Sequence, residues 1–197
     1  MNEPFDGKEP TSAKDVFEEI NSRQVKALMF HSEAADLFGF MGLEGFKHMH
    51  EYQYLAESAE HREIKSYFLK AHDKILPDDS GIKPVEVVPD DWLQYTRMDV
   101  TPSIRKQHTE RVMNLYRNWE EETLKVYSMC AHYLMNWGEV TDFCRVKDLI
   151  KDVQWELFCL KDICLRLRSV EYDPGFIVSL QEELTEKYKE KPIRMES

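Results

Sequence analysis

The prolines of this chain fall between its periodic segments and never within them. A proline inside a helix removes a backbone hydrogen bond and clashes with the preceding turn, so the prolines punctuate the helix count. Thr101-Pro102 and Asp173-Pro174 each set a capping side chain before a proline at the first helical position, a strong start signal. Ser12 with Asp15 three residues on gives a further, capping-box-like start. These signals predict a first helix from Ser12 to about Phe38, before Gly39, Gly42 and Gly45, and a second from about Leu43 to Pro77. A third runs from Thr101 to about Met135, and a fourth follows the Asn136-Trp137-Gly138 break and ends near Val170. A short C-terminal helix occupies 171–189, between the bundle at 12–170 and a charged tail at 190–197. Residues 1–11 are polar and read as a flexible N-terminus.

The segment from about 77 to 101 carries Gly81, Pro84, Pro89 and the short apolar run Val85 to Val88, with little helical period. It is too long for a hairpin turn. Its length suits a crossover that climbs the outside of a bundle and sets the third helix parallel to the second. The fold class is therefore all-α: a four-helix bundle with a long crossover between helices two and three, and a short fifth helix. At 197 residues and 42% hydrophobic the chain can bury a substantial core, and one domain fits better than two.

Reading each helix at spacings of three and four gives its buried stripe. On the first helix the stripe is Phe17, Ile20, Gln24, Leu28, His31, Ala35 and Phe38, so Gln24 and His31 interrupt an apolar line. On the second it is Phe46, His50, Gln53, Glu57, His61, Ile64, Phe68, Ala71 and Ile75, with Glu60 beside Glu57. The third has Glu120 among Met113, Tyr116, Tyr127 and Ala131, and the fourth has Glu156 beside Leu157 with Asp152 on its edge. Every long helix thus brings a polar group inward. An ionised carboxylate buried without a partner costs several kcal/mol or more, so such a cluster needs a cation or protons. A carboxylate-rich, cysteine-free set favours iron or manganese over structural zinc.

A formal charge of -11 argues against a nucleic-acid backbone or an anionic membrane as partner. No run approaches the roughly 20 apolar residues that span a bilayer, and the N-terminus has no apolar leader region, so a soluble, cytoplasmic protein is expected. Cys130, Cys144, Cys159 and Cys164 form no C-x-x-C pair and are expected reduced and buried. No Gly-x-Ser-x-Gly, phosphate loop or recognisable Cys/His frame supports a nucleophilic enzyme.

Gly42-Leu-Glu-Gly-Phe46, followed by Ala56-Glu57-Ser-Ala-Glu60-His61-Arg-Glu63, resembles the turn at the end of the first helix and the Glu-rich second helix of non-haem ferritins. Asn118-Trp-Glu120 and Asp152-Val-Gln-Trp-Glu156 resemble their third and fourth helices, and 173–189 their short fifth. The resemblance to the ferritin-like superfamily covers nearly the whole chain in architecture. It implies a di-iron or di-manganese site in the bundle core, with oxidation of Fe(II) as its activity, a divalent metal as partner and assembly into a homo-oligomer. Ligand positions carried over by the resemblance fall at Gln24, at Glu57 and Glu60, at Glu120, and at Asp152 with Glu156 nearby; His61 and His31 are further imidazole candidates. The family's Glu-x-x-His is missing throughout. That departure supports an alternative: a degenerate, metal-free ferritin-fold module with a structural or interaction role, whose inward polar groups pair with one another.

Overall fold

A computed structural model of the chain describes residues 4–77, 85–89, 92 and 95–189. Among them are five α-helices and no strand: α1 (Ala13–Phe40), α2 (Glu44–His72), α3 (Pro102–Asn136), α4 (Val140–Ser169) and α5 (Pro174–Tyr188), so the protein is all-α. Gly81 and Pro84 of the crossover and the tail at 190–197 lie outside the described residues.

The helix starts are where local chemistry puts them. Asp15 N–H donates to Ser12 Oγ at 3.4 Å, Ile104 N–H to Thr101 Oγ1 at 3.2 Å and Phe176 N–H to Asp173 Oδ1 at 2.9 Å, each satisfying an amide that has no partner within its own helix. The ends move. The first helix runs two residues past Phe38, to Phe40, and the second stops at His72 rather than Pro77. Asp73 adopts a left-handed conformation (φ 54°) and its amide closes the last turn on Leu69 O, a stop that an Asp tolerates and that periodicity does not reveal.

α1 and α2 form one antiparallel hairpin and α3 and α4 another, while α5 packs on α2. Gly42 (φ 71°) makes the first turn. From the far end of α2 the chain returns along α1: Asn21 Nδ2 donates to Pro77 O, Val87 N–H to Glu33 Oε2, and the Trp92 ring packs edge-on against Phe40. It arrives beside the α1–α2 turn, where Arg105 Nε of α3 donates to Met41 O at 2.9 Å. The third helix therefore runs parallel to the second.

The buried apolar residues form two clusters. One, around Phe30, Phe38, Phe46, Val112 and Leu167, takes in the α1–α2 turn and α5; the other, around Phe17, Ile20, Phe68, Val126 and Val146, fills the opposite end. Phe5, in a 3-10 turn at Pro4–Gly7, packs edge-on against Tyr133 at the second end, and its amide donates to Glu19. Between the clusters lie Gln24, Glu57, Glu60, Glu120 and Glu156. All four cysteines are free, but only Cys130 and Cys164 are buried. Cys144 is exposed, because it lies opposite the apolar stripe of α4, and Cys159, on the edge of that stripe beside Leu160 and Ile163, is half-buried. No described helix is long and apolar enough to cross a membrane.

Candidate metal centre

The layer between the two clusters is built by one or two turns from each long helix. α1 contributes Gln24 and His31, both buried. α2 contributes His50, buried, and Gln53, Glu57 and Glu60, half-buried. α3 contributes Tyr116, Glu120, Thr123 and Tyr127, all buried, and α4 contributes half-buried Glu156 and exposed Asp152.

Ligand-capable atoms of His31, Glu120 and Glu156, from three different helices, lie within 4.8 Å of one another. Glu156 Oε1 accepts from both Tyr116 OH and Gln53 Nε2, and Gln53 Nε2 also approaches Tyr116 OH at 2.8 Å. Behind His31, its Nδ1 faces His50 Nδ1 at 2.9 Å, both rings 0% exposed. Two like ring nitrogens can share only one proton: one ring donates, and its Nε2 is then a bare lone pair. Neither Nε2 has a partner. Glu120 Oε1 and both amide atoms of Gln24 are likewise buried and without hydrogen bonds.

The electrostatics follow from burial and crowding. Burial first, and then Glu60, Glu156 and Asp152, hold Glu57 well above the usual carboxylate range; burial first, and then Glu156, Glu57 and Glu60, do the same for Glu120. Burial, Asp152 and Glu156 push Glu60 up to about 8. Burial lifts Glu156 to about 7, against the pull of its hydrogen bonds from Tyr116 and Gln53. Burial lowers His50 to about 3 and, with His50 as neighbour, takes His31 well below its ordinary value. Among the described residues no lysine or arginine forms an ion pair with Glu57, Glu60, Glu120 or Glu156.

Of the sequence-derived candidates, His31, Glu120 and Glu156 meet directly, and Glu57 and Glu60 interact electrostatically with the last two. Asp152 stands at the exposed rim. His61 turns elsewhere, its Nε2 hydrogen-bonded to Asn21 Oδ1 at 2.9 Å. His50 and Gln53 were legible as stripe positions, but their roles come from neighbours 19 and 103 residues away. Glu122 holds buried Arg23 at 3.0 Å; that guanidinium also bonds Glu19 and lies 5.3 Å from the Trp119 ring. No stripe argument finds an inward arginine whose partner sits on another helix.

The partnerless Glu120 Oε1, His31 Nε2 and Gln24 Oε1 are the atoms that a cation would satisfy. The set is oxygen-rich with one imidazole and no thiol, which suits iron or manganese. Comparison with protein-family models, curated proteins and solved structures gives no match.

Proposed function

We propose that this chain is a ferritin-like protein that binds iron or manganese between its four long helices, with oxidation of Fe(II) as its activity. The observation that carries the reading is the meeting of His31, Glu120 and Glu156 from three helices, with buried donor atoms on His31 and Glu120 that no protein group satisfies. Leaving such atoms unpaired costs about 1–3 kcal/mol each, more when charged, and a bound cation recovers that cost. Glu57, Glu60, Glu120, Glu156 and His31 would hold the metal. Asp152 at the rim would draw cations inward, and Gln24 would offer a neutral oxygen from α1.

Bound iron would supply the one-electron step from Fe(II) to Fe(III) that no side chain provides, with dioxygen as the electron acceptor. The chain does the rest. His50 orients the His31 ring, and Tyr116 and Gln53 hold the Glu156 carboxylate in place. The apolar clusters close the layer at its two ends, leaving its side between α2 and α4 as the way in. Because the carboxyl groups carry protons until a cation displaces them, metal uptake releases protons.

A second reading, a metal-free module held together by its own pairs, is favoured by one observation: Glu156 Oε1 is already engaged by Tyr116 and Gln53. Elemental analysis of protein purified without chelators decides between them. About two iron or manganese ions per chain, lost in Glu120→Gln and Glu57→Gln, support the first reading and justify an Fe(II) oxidation assay. A wild-type chain that stays empty after Fe(II) or Mn(II) loading overturns it.

A further inference from the structure

Between α2 and α4 lies a cleft of about 610 Å³ whose floor reaches Tyr116, Glu60 and Glu156. It is there because α2 presents Ala56 and Ala59 where larger side chains would meet α4. A volume of this order accommodates a whole organic ligand. A passage for an ion with its water needs far less, roughly 30 Å³ per water.

The cleft is chemically polarised along its length. At the end near the α1–α2 turn its walls are Met49, Tyr52, Leu160, Ile163 and Tyr188, with the Tyr52 and Tyr188 rings 5.6 Å apart. From Met49 to Glu63 along α2 is about 20 Å, at 1.5 Å per residue. Toward that far end stand Glu60, Glu63, Asp148 and Asp152. Among the described lining residues the only cations are Arg145 and Lys151, and both are engaged: Arg145 with Glu63 at 2.8 Å, Lys151 with Asp148 at 2.6 Å. Five carboxyl groups thus line the cleft against two cations, each already held by a carboxylate. Among the described lining residues an organic anion would meet no spare positive charge. A molecule with an apolar, aromatic-sized body and a cationic end would match both halves.

We propose that the α2–α4 cleft is a binding site for small amphipathic amines, the body lying against Tyr52, Leu160 and Tyr188 and the ammonium group directed to Glu60 and Asp152. The inference does not require the proposed metal chemistry, since apolar walls and acidic end are both present in the metal-free chain.

Cys159 lies in the cleft wall and reports occupancy. In full-length, metal-free Cys144→Ser protein, which lacks the exposed thiol, the rate of Cys159 alkylation by iodoacetamide is measured by mass spectrometry with added 4-phenylbutylamine or, in parallel, 4-phenylbutyrate. The amine at saturation is expected to slow alkylation about tenfold, and the carboxylate at the same concentration to leave it within twofold. Asp152→Lys, a change at an exposed position, is expected to weaken protection by the amine about tenfold. Ala56→Phe, which fills the cleft, is expected to abolish it. Equal protection by the two probes, protection by neither, or protection by the amine that survives Asp152→Lys in a folded protein overturns the proposal. Metal content, measured separately, bears only on the reading of the metal centre.

Discussion

Glu60, Glu156 and His50 make opposite demands on pH, and together they set where the metal-free chain is most stable. Glu60 and Glu156 have folded-state values of about 8 and about 7 against an ordinary 4.5, so the folded chain binds protons that the unfolded chain has released. Their stabilising effect is complete below about pH 4.5 and is lost as pH rises through 7 and 8. His50, lowered from 6.5 to about 3, works the other way: stability present above pH 6.5 is lost as pH falls toward 3. Between pH 4.5 and 6.5 the two carboxyls outweigh the one imidazole, so metal-free protein should melt highest near pH 4.5, with the melting temperature falling by roughly 5 °C or more on going to pH 8.5. Glu156→Gln keeps an oxygen for Tyr116 but has no charge to bury, so it should melt about 3 °C above wild type at pH 8.5 and show little gain at pH 5. Equal gains at the two values would show that Glu156 is not protonated in the folded chain. Glu57 and Glu120 were legible from their stripe positions alone, because a polar residue on an apolar stripe points inward whatever its partner is. His50 could not be assigned that way: its meaning depends on His31 facing it across the α1–α2 hairpin at 2.9 Å.

At the scale of the elements, the starts of α1, α3 and α5 were legible because Ser12, Thr101 and Asp173 act on amides three residues away. Thr101→Ala should cost about 1 kcal/mol in denaturant unfolding, with the slope of the transition unchanged. The crossover's length implied its course, and Asn21, Glu33 and Phe40 mark that course along α1. The reason for Gly45 was not legible, however. It lies inside the first turn of α2, buried against α5. A Cβ there would come within 1.9 Å of Gln181 O, a backbone atom that cannot swing aside. The glycine is a packing requirement between elements 136 residues apart, and nothing local announces it. Gly45→Ala should force α5 away from α2, seen as loss of amide exchange protection over 174–188 while α3 keeps its own. Unchanged protection in α5 would mean that the two helices can slide apart without cost.

At the scale of the whole molecule, the arrangement is two apolar ends joined through a layer that neither end can satisfy. Each cluster is continuous across several helices, so the folded chain holds its shape around the layer and keeps the carboxyl groups close even while they repel. Protons relieve that repulsion at low pH, and a divalent cation would relieve it at higher pH, which makes the two relationships testable against each other. If Mn(II) binds in the layer, the melting temperature at pH 8 should rise by roughly 5–10 °C at a hundredfold excess over its dissociation constant, which corresponds to about 2.7 kcal/mol. The rise should shrink toward pH 5, because the metal must then displace protons from Glu60 and Glu156. Glu120→Gln should lose most of the rise while leaving both apolar clusters in place. A rise of the same size at pH 5 and 8, or one that survives Glu120→Gln, would locate the metal on surface carboxylates instead and leave protons as the means by which the layer is tolerated.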